Sequence, residues 1–360
     1  MSFLGLRVSS FRNLADGELV TDARRVFLVG ENGQGKTNFL EALYYLCYGA
    51  SFRGAVDAQV PARGSPGFFL SGTWEADPPE TISVRFADRE KDIRLNGKPL
   101  HDRKELVSHN PAVVFCHEDF SFADGEPERR RFFFDQCASM LSVAYIDTLR
   151  SYKRILKQRN AAIRDADVGL IEALDLQFAG VGLELMRDRL ALLEAFAPRF
   201  PAMYEAVSLV GRKVDLDYRP SWPVDADIPA VAARLEAARE GEIAFGTSLS
   251  GPHRDRWIFR SEGADFAATA STGQLRLASL ILRAVQAALY AERAGKWPVL
   301  LLDDVLLELD VGKRRRFLAL LPGPETEAQA FFTFLPEEPW QEYSDSDTLV
   351  YRVEHGRFAH

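Results

Sequence analysis

The spacing of apolar residues divides the chain into stretches of different character. At 4–8 and 82–86 apolar residues alternate with other residues, the period of a half-buried β-strand. Unbroken apolar runs at 26–29 and 113–115 predict strands that are buried on both faces. Residues 1 to about 120 are therefore predicted to consist mainly of strands.

One helix is predicted among these strands, directly after the first buried run. Leu40, Leu43, Tyr44 and Cys47 fall on one face of a helix. Further along, Asn96-Gly97 predicts a hairpin turn, because this pair tolerates positive φ.

The middle of the chain, residues 121–243, follows helical periodicity instead. Helices are predicted at 149–163 and 168–196, and again at 230–239. A short alternating stretch at 214–218 predicts one strand between them.

From residue 244 onward the mixed α/β pattern returns. We predict strands within 256–270, a helix from Leu277 to Ala288, and buried strands at 299–302 and 331–334. The simplest architecture is a discontinuous α/β domain with a mostly helical insert. The predicted domain is made of residues 1–120 and 244–360, and the insert of residues 121–243.

Composition fits this architecture and narrows the class of protein. The chain has 360 residues, of which 47% are apolar and 27% charged, enough to bury cores of useful size. No apolar run approaches the roughly 20 residues that cross a bilayer, and the N-terminal stretch lacks the apolar centre of a signal peptide. Three dispersed cysteines are typical of a reducing cytoplasm. The formal net charge of −8 argues against coating of nucleic acid by bulk charge, but it permits a local basic surface.

The clearest chemical motif follows the apolar run at 26–29. It reads Gly30, Glu31, Asn32, Gly33, Gln34, Gly35, Lys36 and Thr37. This segment matches the GxxxxGK[ST] phosphate loop, and it stands between a predicted strand and a predicted helix, as that motif requires. Backbone N–H groups and the helix N-terminus attract phosphate, Lys36 reaches the β- and γ-phosphates, and Thr37 binds Mg²⁺. The sequence thus predicts a site for a nucleoside triphosphate, ATP in our interpretation.

A second motif closes the buried strand at 299–302, which ends in Asp303 and Asp304. In P-loop enzymes an aspartate at this place holds Mg²⁺, the role we assign to Asp303. Asp304 is then predicted to face the γ-phosphate and to orient or deprotonate the attacking water. Asp304 and Lys36 are the predicted catalytic residues.

A third motif, Ser271, Gly273 and Gln274, opens the helix that precedes this strand. A serine and a glycine at a helix start form a small anion site. Because the phosphate loop already encloses one nucleotide, this site requires a second nucleotide or the nucleotide of another subunit. The order and spacing match the signature motif of ABC-type ATPases, in which two heads enclose two ATP molecules. Glu308-Leu309-Asp310 fits the D-loop of the same class.

Several stretches outside these motifs resemble the RecF family, bacterial recombination-repair ATPases related to the heads of SMC and Rad50 proteins. They are Phe11-Arg12-Asn13, Ser51-Phe52-Arg53, Gly125 and Pro127 with Arg130, Arg131 and Asp135, Leu156-Lys157-Gln158-Arg159-Asn160, and Gly251-Pro252-His253-Arg254-Asp255. The resemblance covers nearly the whole chain. It implies an SMC/Rad50-like ABC-type P-loop ATPase head with an inserted helical arm. The chain departs from the family pattern at Cys116-His117, Arg256 and Leu307.

The resemblance also implies a function, that of an ATP-dependent DNA-binding switch. Such proteins look like slow ATPases that form homodimers with ATP and bind double-stranded DNA near single-strand gaps. They work with RecR and RecO to load RecA, and so connect to replication restart and the SOS response. Selection of adenine is likewise implied by the family, with Arg12 and Asn13 as candidate residues near the base.

A basic stripe is the candidate DNA surface. Arg150, Lys153, Arg154 and Lys157 share one side of a predicted helix, opposite its apolar face. Such a stripe attracts phosphates without reading sequence, but it is also typical of a solvated helix face. The run 129–131 is either a second DNA-binding candidate or a group of residues beside the nucleotide. His253 is either a structural residue or one near a dimer seam.

Three other classes of protein share parts of this pattern. A Rad50-type nuclease head requires a long coiled coil, and prolines interrupt the insert. An ATPase subunit of a transporter would dock on a membrane protein, and a small-molecule kinase would transfer phosphate to a metabolite. Neither explains the RecF-like stretches.

Overall fold

The computed structural model describes residues 2–119, 122–123, 125–307, 309–323 and 326–360. The chain divides into two compact units. Unit 1 comprises Met1–Asp119 and Gln286–His360, and unit 2 comprises Phe120–Val285. The boundary after Asp119 lies next to the predicted boundary at about residue 120. Residues 244–285, however, belong to unit 2 with the predicted insert and not to unit 1.

The secondary structure of the described residues is as follows. The strands are β1 (Phe3–Ser9), β2 (Gly17–Val20), β3 (Arg25–Val29), β4 (Phe68–Trp74), β5 (Glu80–Ala87), β6 (Glu90–Leu95), β7 (Lys98–Pro99), β8 (Ala112–Phe115), β9 (Asp215–Arg219), β10 (Arg256–Ser261), β11 (Ala264–Asp265), β12 (Val299–Leu302), β13 (Ala330–Phe334), β14 (Thr348–Glu354) and β15 (Arg357–Ala359). The α-helices are α1 (Lys36–Tyr48), α2 (Lys104–His109), α3 (Pro127–Leu141), α4 (Val143–Arg164), α5 (Val168–Phe196), α6 (Arg199–Ser208), α7 (Ile228–Phe245), α8 (Phe266–Thr269), α9 (Thr272–Ala294) and α10 (Val311–Leu318).

Most predicted elements are confirmed, and α5 has the predicted bounds. Two predictions are wrong: a second helix, α2, lies among the strands of residues 1–120, and the last part of the stretch 256–270 is helix α8, not strand. The Asp265 side chain accepts a hydrogen bond from the Ala267 N–H at 3.0 Å, so it caps the first turn of a helix. Helix α9 also begins earlier than predicted, at Thr272.

Unit 1 contains two six-stranded sheets. The antiparallel sheet has the order β2-β1-β4-β5-β6-β7, and the second sheet has the order β15-β14-β3-β13-β12-β8. In the second sheet the strands β14, β3, β13, β12 and β8 are parallel, and only the edge strand β15 is antiparallel. The buried core contains Leu40 and Leu43 of α1 together with side chains of both sheets, such as Leu6 and Leu301. Parallel strands buried in this way bring their carboxyl ends to one edge.

Unit 2 contains the helices α3 to α7 and a three-stranded sheet with the order β11-β10-β9. Strand β10 pairs with β9 from Arg256 opposite Arg219 to Arg260 opposite Asp215. This long-range pairing explains why the chain after residue 244 groups with the insert. Among the described helices of the chain, none combines the length and the apolar character needed to cross a membrane.

Candidate nucleotide site

The phosphate loop lies between β3 and α1, at the carboxyl edge of the parallel sheet. Gly35 has φ 115°, a conformation that favours glycine, and directly precedes the first helical residue. Lys36 is only 4% exposed, and its Nζ donates to the carbonyl oxygens of Gly30 at 2.7 Å and Glu31 at 3.2 Å. The loop therefore surrounds its own lysine, and residues Glu31, Asn32 and Gly33 remain on the surface.

Two segments that are remote in sequence hold this loop in place. The Asn13 side chain donates from Nδ2 to the Gly33 carbonyl at 2.9 Å. The turn between β14 and β15 contacts Gln34, because the Gly356 N–H donates to the Gln34 carbonyl at 2.8 Å and the His355 N–H to Oε1 at 2.6 Å. Sequence analysis missed this turn, since nothing in its local pattern indicates contact with the loop.

The turn packs so closely against residues 13–15, which also hold the loop, that only glycine fits its tip. Gly356 has φ 75°, and a Cβ atom there would lie 2.0 Å from the Asn13 carbonyl oxygen. The Gly356 carbonyl in turn accepts from the Ala15 N–H at 2.9 Å. The turn is therefore a structural support of the phosphate loop.

The predicted metal ligands stand side by side. Thr37 Oγ1 donates to Asp303 Oδ1 at 2.9 Å, across the gap between α1 and the end of β12. Two oxygen ligands in neighbouring positions of an octahedral Mg²⁺ shell, each about 2.1 Å from the ion, are about 3 Å apart. The pair therefore fits Mg²⁺: Thr37 and Asp303 would hold the ion, which would neutralise phosphate charge when bound.

Thr333 of β13 orients both aspartates, a role that the sequence did not reveal. Its hydroxyl lies 2.7 Å from Asp304 Oδ1 and 3.2 Å from Asp303 Oδ1, and it accepts from the Asp304 N–H at 2.8 Å. Asp304 has φ 52°, in the left-handed region that aspartate and asparagine adopt more readily than most residues other than glycine. The structure thus brings together Lys36, Thr37 and both aspartates, and it fixes the direction of the Asp304 carboxylate.

A further carboxyl group, Glu338, lies in the loop that follows β13. In the sheet, β13 lies between β3, which precedes the phosphate loop, and β12, which precedes the aspartates. It is 7% exposed, and its Oε1 accepts from the Leu335 N–H at 2.7 Å. Burial raises the pKa of Glu338, and the charge of Asp304 acts in the same direction. The order of the strands, with β13 between β3 and β12, places this loop at the site.

Arg12 lies beside α1 with its guanidinium already engaged. It contacts both carboxylate oxygens of the buried Glu41, at 2.9 and 2.7 Å, and donates to the Gln59 carbonyl at 2.9 Å. Arg12 thus links α1 to the segment around Gln59 and supports the structure there. Its contact with a nucleotide stays a prediction. Asn13 and Asn38 form a neighbouring hydrogen bond of 2.7 Å.

The signature residues belong to unit 2 and form a helix start, as predicted. The Ser271 N–H donates to Gln274 Oε1 at 2.8 Å, and the Gln274 N–H donates to Ser271 Oγ at 3.3 Å, a reciprocal capping box. Ser271 and Gly273 are exposed, and a Cβ atom at Gly273 would meet no heavy atom within 4 Å. The N-terminus of this 23-residue helix is therefore open to an anion. Of the predicted D-loop, Glu308 lies outside the described residues.

The basic stripe lies on α4, as predicted, with Arg150, Lys153, Arg154 and Lys157 all exposed. Arg150 lies 4.0 Å from Asp147. Arg159 of the same segment is not part of this surface: it is fully buried and paired with Asp175 and Glu242.

The remaining candidates of unit 2 have structural contacts. Arg130 donates to the Trp257 and Ala123 carbonyls, and Arg131 donates to the Asp255 carbonyl at 2.9 Å. The His253 ring bonds to the Tyr152 hydroxyl at 2.7 Å and to the Ser248 carbonyl at 3.1 Å, and burial lowers its pKa to about 4. His253 is therefore a structural residue of unit 2.

Comparisons with known proteins agree with this arrangement, although no family model matches the chain. The chain is 41% identical to the DNA replication and repair protein RecF of Treponema pallidum (strain Nichols), over 96% of this chain and 98% of the relative. A solved structure of the recombination mediator protein RecF with ATP, in the RecFOR pathway, superposes with a TM-score of 0.88 at 27% identity, covering 99% of this chain and 97% of that one.

A more distant structure supports the fold alone. An SMC head, solved with a winged-helix domain of ScpA, has a TM-score of 0.61 at 14% identity and covers 99% of this chain and 96% of that one. The predicted ABC-type ATPase head with its helical arm is thus confirmed as the fold. With its extended identity to a curated relative, the chain belongs to the RecF family of DNA replication and repair proteins.

Proposed function

We propose that this chain is an ATP-dependent DNA-binding protein of recombinational repair, in which two copies close on two ATP molecules. The observation that carries the proposal is the 2.9 Å contact of Thr37 with Asp303, next to the buried Lys36. This arrangement suits a triphosphate with Mg²⁺. Two relatives support the same function. One is named a DNA replication and repair protein, and the other is a recombination mediator protein whose structure was solved with ATP.

Hydrolysis in the proposed mechanism requires little covalent chemistry from the protein. A water molecule attacks the γ-phosphorus, its proton passes to the Asp304 carboxylate, and ADP leaves. Lys36 moves from its two backbone carbonyls to the β- and γ-phosphate oxygens, where it stabilises the charge. Thr333 holds Asp304 in the direction that the transfer requires.

In the proposed dimer, Ser271 and Gly273 of one copy contact the γ-phosphate that the other copy holds. The closed dimer clamps double-stranded DNA near single-strand gaps, and the basic stripe contacts its phosphates. The stripe consists of Arg150, Lys153, Arg154 and Lys157. Slow hydrolysis opens the dimer. We further propose that it works in the cytoplasm with RecR and RecO to load RecA, and so supports replication restart and SOS induction.

The first test is light scattering of Asp304→Asn, with and without ATP and with and without duplex DNA. Asparagine tolerates the positive φ of this position, so the variant removes the base and keeps the backbone. We expect a stable dimer with ATP that retains DNA. The exposed Asp347→Asn is the matched control. A monomer under every condition would contradict the proposal.

A mixing experiment tests whether each site is shared between copies. Lys36→Ala disables the phosphate loop, and Ser271→Arg blocks the signature, so each variant alone should neither dimerise nor hydrolyse ATP. In a twofold dimer, one protomer of each kind assembles a single intact site. An equimolar mixture should then recover up to about half of wild-type hydrolysis, since mixed pairs are the dimers that form and one of the two sites in each pair works. No recovery would exclude shared sites.

A further inference from the structure

A groove runs along the exposed side of α4 in unit 2. It encloses about 290 Å³ and is lined by Lys153, Leu156, Lys157, Asn160 and Arg164. Three of these five side chains are cationic and none is acidic. The spacing along the helix places them on one side over three turns. Such a groove fits a linear polyanion in preference to a single ion.

The segment after α7 crosses α4 at the end of this groove. The Ser248 N–H and hydroxyl both bond to Asn160 Oδ1, at 2.8 and 2.7 Å. A Cβ atom at Gly246 would lie 3.8 Å from Arg164 Cγ. Two apolar side chains flank this crossing and stay in solvent, namely Phe245 at 75% exposure and Leu249 at 40%. The exposed Phe245 thus directly precedes in sequence the glycine that lies beside Arg164, one of the residues lining the groove.

Hydrogen bonds to buried residues hold the segment 246–249 where it crosses α4. Buried Arg159 bonds to Glu242 of α7 at 2.7 Å and to the Ser248 hydroxyl at 2.8 Å. The Leu249 N–H donates to the other carboxylate oxygen of Glu242 at 2.9 Å. Phe245, three residues beyond Glu242, is therefore presented on a fixed scaffold, so an aromatic contact there costs little conformational entropy.

Base chemistry decides what this combination binds. Lysine and arginine attract the phosphates of any nucleic acid, whether single-stranded or paired. A solvent-exposed ring stacks only on a base whose face is uncovered, and duplex DNA covers both faces of its bases except at ends and junctions. The cations alone do not distinguish the two forms, whereas the ring does.

We infer that the groove of α4 and Phe245 form a subsite for unpaired nucleotides, in which the groove holds the phosphates of a single strand and Phe245 stacks on a base. This inference rests on the proposed DNA-binding function and adds which residues recognise the single-stranded side of a gap. The partner is a DNA single strand that emerges from a duplex.

The test measures binding of Asp304→Asn protein, with ATP, to three fluorescent DNAs by anisotropy. They are a blunt duplex, the same duplex with a single-stranded overhang, and the same overhang made of abasic nucleotides. Phe245→Ala should weaken binding to the base-bearing overhang roughly tenfold. It should leave the blunt duplex and the abasic overhang unchanged. Phe245→Trp should restore the preference.

Two further variants separate this role from other effects. Phe132→Ala removes another exposed phenylalanine of unit 2, at 50% exposure, and should change none of the three affinities. Lys153→Ala with Lys157→Ala should weaken binding to the base-bearing and abasic overhangs alike, and by more than binding to the blunt duplex, and it should lower the salt dependence.

Different outcomes contradict different statements. Equal losses for Phe245→Ala and Phe132→Ala, or an unchanged preference for the overhang in Phe245→Ala, would overturn the subsite while leaving the clamp intact. Absence of ATP-dependent binding to any of the three DNAs in the parent protein would instead overturn the proposed function.

Discussion

Arg189 in unit 2 and Lys36 in unit 1 are both buried cations, 2% and 4% exposed, and their surroundings differ. Arg189 contacts a carboxylate oxygen of Asp135 at 2.9 Å and one of Asp255 at 2.9 Å, and it donates to the Pro252 carbonyl at 2.7 Å. Its charge is thus compensated within the unit.

Lys36 has no comparable partner in unit 1. Its ammonium donates to two backbone carbonyl oxygens, and it forms no ion pair with any carboxylate in the described part of the chain. Carbonyl dipoles solvate a cation without cancelling its charge. The charge is therefore compensated only when an anion enters the loop.

The difference shows that burial of a charge does not by itself mark a functional site. A structural centre is closed, because each charge meets an opposite one and removal of either leaves an unpaired buried ion. A ligand site keeps an imbalance that the ligand removes. Two consequences can be measured separately, the free energy of unfolding and the affinity for nucleotide.

The largest expected effect belongs to the closed centre. Arg189→Met should lower the free energy of unfolding by about 3–5 kcal/mol, because Asp135 and Asp255 are left buried without a counter-charge. Urea unfolding measures the loss, and Arg219→Met, which removes an exposed arginine, is the control. Equal stability of the two variants would break the comparison.

Lys36→Ala should have the opposite pattern of effects, with a large loss of ATP affinity and a small change in the free energy of unfolding. We expect at least about a hundredfold weaker ATP binding, measured by calorimetry, because the main cation of the loop is lost. The free energy of unfolding without nucleotide should change by less than about 1 kcal/mol, since no ion pair is broken. The exposed Lys98→Ala serves as control. A large loss of stability in Lys36→Ala would show that the loop lysine is structural.

Thr333→Val sharpens the comparison within unit 1. Removal of the hydroxyl should lower kcat about tenfold, because Asp304 loses the bond that directs its carboxylate. ATP affinity should change little, and Thr333→Ser should restore most of the rate. A kcat equal to wild type would exclude this positioning role.

Two hairpin turns with the same backbone allow a matched test of the support for the loop. Asn96-Gly97 has φ values of 50° and 77°, and His355-Gly356 has 49° and 75°. Alanine at either glycine meets similar backbone strain, but a Cβ atom at Gly97 meets nothing within 4 Å. Gly356→Ala should therefore weaken ATP binding several-fold beyond Gly97→Ala. Equal affinities would mean that the turn does not support the loop.

The smallest effect concerns pH and His253, next to the closed centre of unit 2. Burial lowers its pKa from 6.5 to about 4, so the unfolded chain binds the proton first as pH falls. The stability that neutral His253 contributes is thus complete above pH 6.5 and is lost on acidification towards pH 4. The stability difference between wild type and His253→Gln should shrink by about 1 kcal/mol between about pH 7 and 5.5. A constant difference would contradict a neutral buried ring.

The sequence predicted the parts of the site that are local in the chain. These parts are the phosphate loop, the aspartates after β12 and the helix start at Ser271. Within each of them the functional residues are only a few positions apart, so their spacing in the sequence reveals them. Thr333, Glu338 and Gly356 were missed because the order of strands in the sheet brings them to the loop, and no local pattern encodes that order.

Long-range pairing limited the prediction of the fold in the same way. Strand and helix positions follow from periodicity, and α5 shows how well. The assignment of residues 244–285 depends on β10 pairing with β9, which joins segments about forty residues apart and leaves no periodic trace. The short helix α8 depends on a single capping side chain, Asp265, which outweighs strand propensity.

The turn that supports the phosphate loop also determines when, during translation, the loop can reach its final structure. Gln34 and His355 are separated by 321 residues, and both sheet neighbours of β3 come from the late part of the chain. At a translation rate of about 5–20 residues per second, the loop waits roughly 15–60 s on the ribosome before its supports emerge. A nascent chain therefore lacks the two strands that flank β3, and the turn that contacts Gln34, until its synthesis is almost complete.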